Sequence, residues 1–119
     1  MNAINLSWPP SELNPNSRAH WRKKVPLIKK CKDEAEFVAR ESGLSVEGFK
    51  EIHCHITFYP PDDRRRDVDN FLSACKSKLD GISKAIGVDD HKFILHPLMA
   101  KSVSRCGHVE VRFSDDRNN

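Results

Sequence analysis

Lys50–Asn70 reads KEIHCHITFYPPDDRRRDVDN, and the way it is parsed decides the fold. Its first half alternates. Ile52, Cys54, Ile56 and Phe58 fall on one side of an extended chain, and His53, His55, Thr57 and Tyr59 on the other, because strand side chains alternate with period two. The spacing predicts a half-buried strand over 50–59, stopped by Pro60 and Pro61. Beyond Asn70, the apolar residues Leu72, Cys75, Leu79, Ile82 and Ile86 step by three and four. That pattern draws one stripe down a helix, and Gly87 is a natural C-terminal stop. The stretch is therefore a strand, a charged loop and a helix start.

Working outward, residues 4–8, INLSW, alternate and read as an earlier strand. PPSELNPNS, rich in proline and asparagine, is a loop. A first helix is expected over 26–42. Leu27, Cys31, Ala35 and Val38 recur at helical spacing, Pro26 suits a first helical position, and Gly43 closes it. An earlier helical stretch, kinked at Pro26, stays open. On the far side, 93–103 and 108–113 read as extended, with SRCG as the turn between them. Pro97 assigns the longer of the two to a sheet edge or a bulge. The order β-α-β-α-β-β predicts an α/β chain of the α+β type, with a small mixed sheet covered by helices on one face. The polar tail SDDRNN is expected to fray.

At 119 residues the chain is one domain, 1–119. Its mean hydropathy is −0.62, and no apolar run approaches the roughly 20 residues that span a bilayer. The N-terminus has neither the basic region nor the apolar stretch of a secretory leader, so a cytoplasmic protein without a membrane partner is expected. Cys31, Cys54, Cys75 and Cys106 are scattered and form no C-x-x-C pair. In a reducing compartment they read as buried thiols. Net charge is only +3, but its distribution is uneven. Arg18, Arg22, Lys23, Lys24, Lys29, Lys30 and Lys32 occupy 18–32 without a single acid, the charge pattern expected of a polyanion partner. A solvated helix face is the competing reading.

The loop ends on acids. Asp67 and Asp69, with Asn70, sit where a helix cap would be. An aspartate there accepts orphan N–H groups and is favoured by the helix dipole. Capping accounts for one of them. It leaves the second, and the Asp89–Asp90 pair after Gly87, without a reason. The alternative is a hard divalent cation held by carboxylates and water. About 17 residues of helix span roughly 25 Å, so Asp90 joins that group only if the chain after Gly87 folds back. An EF-hand is excluded because DVDNFLSACKSK lacks the required glycine and terminal glutamate. A zinc site from His53, His55, Cys106 and His108 has no finger spacing. No G-x-S-x-G setting supports a serine nucleophile.

DRRRDVDN, the apolar helix and GVDD together resemble the RusA family of Holliday-junction resolvases of phages and prophages. WPPSELNPNSRAHW is similar to that family as well, and the likeness covers roughly residues 4–113. It implies a homodimeric endodeoxyribonuclease that resolves four-way DNA junctions by paired nicks in recombination and repair, using Mg²⁺ or Mn²⁺. The products it implies are a 5′-phosphate and a 3′-hydroxyl. The family's metal-holding, catalytic acids map onto Asp67, Asp69 and Asp90. Its important lysine, four residues after the second motif aspartate, is Ser73 here. Lys76, one turn further on, is the candidate substitute. Arg18, Arg22, Lys23, Lys24, Arg64, Arg65, Arg66, Asn70 and Ser73 are the expected DNA contacts. A DNA-binding module that has lost cleavage, and a protein-interaction module, are the competing classes.

Overall fold

A computed structural model of the chain describes residues 2–115. Strands β1 (Ala3–Ser7), β2 (Ile52–Tyr59), β3 (Phe93–Met99) and β4 (His108–Ser114) form one sheet in the order β1-β4-β2-β3. β2 and β3 are parallel, and β4 runs antiparallel to both β1 and β2. Register sets Cys54 opposite Phe113, Ile56 opposite Val111 and Phe58 opposite Val109, so one face of every central strand is apolar. Three helices cover that face: α1 (Trp21–Ser42), α2 (Val68–Ala74) and α3 (Lys76–Ile86). This is the expected two-layer α+β architecture. Ile4, Leu6, Ile56, Phe58, Ile82, Val109, Val111 and Phe113 form the buried core. Each such side chain contributes roughly 1.5–3 kcal/mol by leaving water. Pro97 lies on the edge strand β3, where its missing N–H costs no interior ladder bond.

Several boundaries differ from expectation. Helix α1 begins at Trp21, and Pro26 lies inside it. His20 is the N-cap: its Nδ1 accepts from the Arg22 N–H at 3.1 Å. Pro26 is exposed, so water can satisfy the Arg22 carbonyl that its ring leaves without a donor. The second helix is divided at Cys75 (φ −91°, ψ 0°), although the Cys75 N–H still bonds the Phe71 carbonyl and the Leu79 N–H the Cys75 carbonyl, both at 3.1 Å. β3 ends at Met99, not at residue 103. Cys31, Cys54 and Cys75 are buried, but Cys106 is exposed in the turn, at φ 68°. Burial pushes the Cys75 thiol up to about 12. The tail beyond residue 115 lies outside the described residues. Asp115, the last described residue, is tied down, because its carboxylate accepts from the Lys50 and Glu51 N–H groups, each at 2.8 Å.

One polar device sits in the core. Lys78, 1% exposed, extends from α3 to the Ser7 hydroxyl at 3.1 Å and to the Glu34 carboxylate. Ser7 in turn donates to Glu34 from its N–H (3.2 Å) and its hydroxyl (3.0 Å). Burial alone would push the Glu34 carboxyl up, but the hydrogen bonds and charge of Lys78, with those of Ser7, hold it below the usual carboxylate range. A group whose folded pKa is depressed stabilises the fold above its unfolded pKa, and that contribution is lost as pH falls through the folded value. We therefore expect Glu34→Gln to unfold at lower denaturant than the parent at pH 7. The gap should narrow once the pH drops below the ordinary glutamate value of 4.5. Urea titrations of both proteins at pH 7 and pH 4 would check this, and a gap that widens in acid would contradict it.

Candidate active site

The aspartate pair does what a helix start asks of it. Asp67 is the N-cap of α2, and its Oδ1 accepts from the Asp69 N–H at 2.9 Å. Asp69 sits in the first turn, where the helix dipole favours negative charge. Both carboxylates are exposed. Because α2 already includes Asp69, the side chains of Asp69, Ser73, Lys76 and Asp80, spaced by four, three and four, follow one face of the α2–α3 rod. The opposite face carries the buried Cys75, Leu79 and Ile82.

The chain after α3 folds back along that polar face. Gly87, at φ 72°, ends the helix in the left-handed region. The Gly87 and Val88 N–H groups both bond the Ser83 carbonyl, at 3.0 and 3.3 Å, a closure typical of helix C-termini. Asp89 then caps a single tight turn over Asp90–Lys92, its carboxylate bonded to His91. Asp90 comes to line a cavity of about 340 Å³ with Leu72, Ser73, Lys76, Leu79, His91 and Leu95. Ser73 and Lys76 also line a second cavity of about 310 Å³, with Leu13, Lys24, Ile28 and Asp80. The two cavities meet at Ser73 and Lys76, so that pair stands between Lys24 on one side and Asp90 on the other.

Asp80 was not among the residues singled out from the sequence. Its carboxyl faces that of Asp90. Burial, then the hydrogen bond and charge of Asp90, push it above the usual carboxylate range, against the opposing charges of Lys76 and Lys32. Its spacing from Ser73 and Lys76 was readable. Its neighbour was not, because that contact depends on the turn after Gly87.

The three expected ligands are not gathered at one point. Among the described residues, no group of three or more His, Cys, Asp or Glu side chains is placed to hold a metal ion. Asp67 and Asp69 lie at the start of the rod, and Asp90 lies beside Ser73 and Lys76. As a donor set the carboxylates suit a hard cation. Mg²⁺ ordinarily takes only one or two protein carboxylates, with water and substrate phosphate completing its shell. Among the described residues the candidate zinc ligands are not brought together either. His53 and His55 stack with His96 on the sheet face away from the core, at ring separations of 5.1 and 4.7 Å. His108 instead stacks on Tyr59 and bonds Ser104.

The arginines divide. Arg66 is spent on the loop: its guanidinium bonds the Asp62 carboxylate at 2.6 Å and the carbonyls of Asp62 and Arg64. It lies 5.7 Å from the Trp8 ring, and its side chain is only 8% exposed. It organises the turn and is withdrawn from solvent, in contrast to the DNA-contact reading. The Asp62 carboxyl is lowered to about 2, first by the Arg64 N–H and then by Arg66. Arg64 pairs with Asp62 at 3.2 Å while remaining mostly exposed, and Arg65 is exposed. Of the basic block, Arg18, Arg22 and Lys23 are exposed, and Lys24 is half-buried against the second cavity. Asn70 is half-buried in the first turn of α2, and Ser73 is exposed.

Comparison with known proteins finds relatives that match nearly the whole of this chain. It belongs to the same family as an uncharacterised protein of Xylella fastidiosa, with 38% identity over 116 residues, 93% of this chain and 74% of that one. It is also a distant, essentially full-length relative of two crossover junction endodeoxyribonucleases. One is RusA of Enterobacteria phage 82, 28% identical over 97% of this chain and 95% of the relative. The other is RusA of Escherichia coli K12, 28% identical over 98% and 96%. No family model matches the chain.

Proposed function

We propose that this chain is a RusA-like endodeoxyribonuclease that binds four-way DNA junctions and cuts them with a divalent metal ion. The observation that carries this reading is the polar face of α2–α3. It runs from the Asp67–Asp69 cap through Ser73 and Lys76 to Asp80, with Asp90 folded back onto it and Lys24 of the basic helix beside it. Acids for a cation and bases for phosphates then line one surface. The distant full-length likeness to crossover junction endodeoxyribonucleases supports the substrate.

Asp67 and Asp69 at the helix start, and Asp90 beside Ser73 and Lys76, are the carboxylates that would hold Mg²⁺ or Mn²⁺, one or two to an ion, with water and substrate phosphate completing the shell. When bound, such an ion lowers the pKa of a water and stabilises charge on phosphate oxygens. The other roles belong to the chain itself. Arg18, Arg22, Lys23, Arg64 and Arg65 present exposed cations that would hold DNA backbone phosphates, the contacts that supply most affinity and fix orientation. Arg66 and Asp62 would keep the loop in the shape that offers Asp67 at the helix start. Asn70 and Ser73 flank Asp69 on the helix and would hydrogen-bond the DNA backbone.

Lys76 stands about one turn along the same helix face from Ser73, the place of the family's lysine. Helical side chains tilt toward the N-terminus, which here is the Asp67–Asp69 end. Its charge would stabilise the phosphate in the transition state. Lys76→Ala should therefore slow cleavage at saturating enzyme by at least about tenfold, beyond any loss of binding, and Ser73→Lys in that background should recover much of the rate. Normal single-turnover cleavage by Lys76→Ala would remove it from the chemistry.

Resolution requires two nicks related by a twofold axis, and one chain carries one acidic face. A C2 homodimer supplies two equivalent sites. The test is a labelled four-way junction at low salt with Mg²⁺, combined with sedimentation of the complex. Paired, symmetric nicks by a dimer are expected. Tight binding without cutting would favour the binding-module reading. A monomer on and off DNA would remove the twofold mechanism.

A further inference from the structure

Of the four large apolar side chains that α1 exposes, Phe37 stands apart near the C-terminal half and the other three share one face. Trp21, Val25 and Ile28 recur at i, i+4 and i+7 on one face, and Trp21 is 62% exposed at the first helical position. The ring has no place in the core. It is flanked by two polar groups: the His20 imidazole, 5.5 Å away and tilted by 35°, and the Arg22 guanidinium, 5.6 Å from the ring centroid. About one and two turns along, Lys24 and Ile28 line the cavity that also holds Ser73, Lys76 and Asp80. An open indole therefore stands at the edge of the candidate active face, inside the most basic stretch of the chain.

We infer that Trp21 is a stacking platform for an unpaired nucleobase at the branch point, with Arg18, Arg22 and Lys23 holding the phosphates on either side. Two observations favour a base over other occupants. First, 18–32 carries seven cations and no acid, so a second copy of this surface would be repelled. Second, a nucleotide strand alternates flat neutral rings with phosphates, which matches an aromatic ring set among guanidinium and ammonium groups. Stacking on an aromatic side chain is sequence-tolerant and adds to charge-based binding. A stacked base held there would be kept unpaired one helical turn from Lys24 and the adjoining cavity. That would fix the branch point relative to Ser73 and Lys76. This inference rests on the DNA reading above and adds a positioning residue to it.

The test measures affinity, without divalent metal, for three probes: a four-way junction, oligo(dT), and an abasic oligomer of the same length. Trp21→Ala should bind the junction and oligo(dT) about tenfold more weakly, as expected for the loss of one base–aromatic stack. It should bind the abasic strand within about twofold of the parent. The slope of log affinity against log salt should not change, because no phosphate contact is lost. Trp21→Phe should restore most of the affinity. Since the ring is exposed, Trp21→Ala should melt with the parent, and Trp21→Phe provides a second variant if it does not. Undiminished oligo(dT) binding, an equal loss on the abasic strand, or conversion of a parent dimer to a monomer would each overturn the inference. The last result would mark a self-association surface instead. The two readings fail separately. A parent that cuts junctions while Trp21→Ala loses nothing sinks only the platform. Base-dependent binding through Trp21 by a protein that cuts no junction sinks only the nuclease.

Discussion

Asp69→Asn and Asp90→Asn should each leave a four-way junction bound and uncut. Asparagine keeps the shape of the side chain and removes the charge that a hard cation needs. The loss in single-turnover rate should be at least about a hundredfold, the size of effect seen when one stabilising group is removed from an electrostatic site. Binding should hold or tighten, because each substitution removes a negative charge that faces phosphates. Asp67→Asn should behave alike in cleavage. As an asparagine cap it should still accept from the Asp69 N–H, a bond of 2.9 Å in the parent, since Asn and Asp cap about equally well. That is the value of the substitution: it separates capping from chemistry, which Asp67→Ala would confuse. Asp89 serves as the control. Its carboxylate is committed to His91, whose hydrogen bonds hold it below the usual carboxylate range, so Asp89→Asn should still cut. Full cleavage by any of the first three would remove that residue from the site. Lost cleavage in Asp89→Asn with normal cleavage in Asp90→Asn would exchange the two.

The parts of this arrangement that the sequence revealed are the local ones. Alternation in 50–59 and the three-four stepping of Leu72, Cys75, Leu79 and Ile82 are properties of neighbouring residues, and the strand and helix follow from them. The start of α1 was not readable for a specific reason. Its cap is His20, outside the usual serine, threonine, aspartate and asparagine set, and Pro26 looked like a first position because nothing marks where the ring faces solvent. Asp67 and Asp69 were legible as a pair. The company Asp90 keeps was not, since it depends on the Gly87 turn and on the tight segment before β3. Asp80 and Lys78 were missed for a related reason. Both are charged residues on a helix, and only the packing of α3 against α1 and the 89–92 turn gives each its partner: Asp90 for the one, Glu34 and Ser7 for the other. His96 likewise joins His53 and His55 through parallel pairing of β2 and β3, which sets His55 opposite His96.

Gly81 is where that packing is least forgiving. A methyl group built on it would lie 2.2 Å from the Lys32 carbonyl oxygen, with the Lys32 carbonyl carbon and the Glu36 nitrogen each at 3.0 Å. All of these are backbone atoms of α1, so no side chain can swing aside. The two helices must separate, and Ala35, Ala39 and Ile82, all essentially buried, would lose contacts with them. Two effects compete in Gly81→Ala. Helix propensity favours alanine by roughly 1 kcal/mol, while forcing apart a packed helix pair costs typically 1–3 kcal/mol and occasionally more. The approach to within 2.2 Å of backbone puts this site at the costly end, so the clash should win by about 2 kcal/mol. For a domain of this size that corresponds to a fall in Tm of roughly 5–10 °C, and Gly81→Val should fare worse. The same displacement moves Asp80, the preceding residue, away from Lys24 across the cavity they share. Cleavage should therefore fall even at temperatures where the variant is still folded. Gly43 gives the contrast: a methyl there meets nothing within 4 Å, and only its left-handed φ of 71° opposes substitution. A Gly81→Ala protein that melts at or above the parent would show that α1 yields without cost, and that the close approach of the two helices is not what sets the spacing of the candidate site.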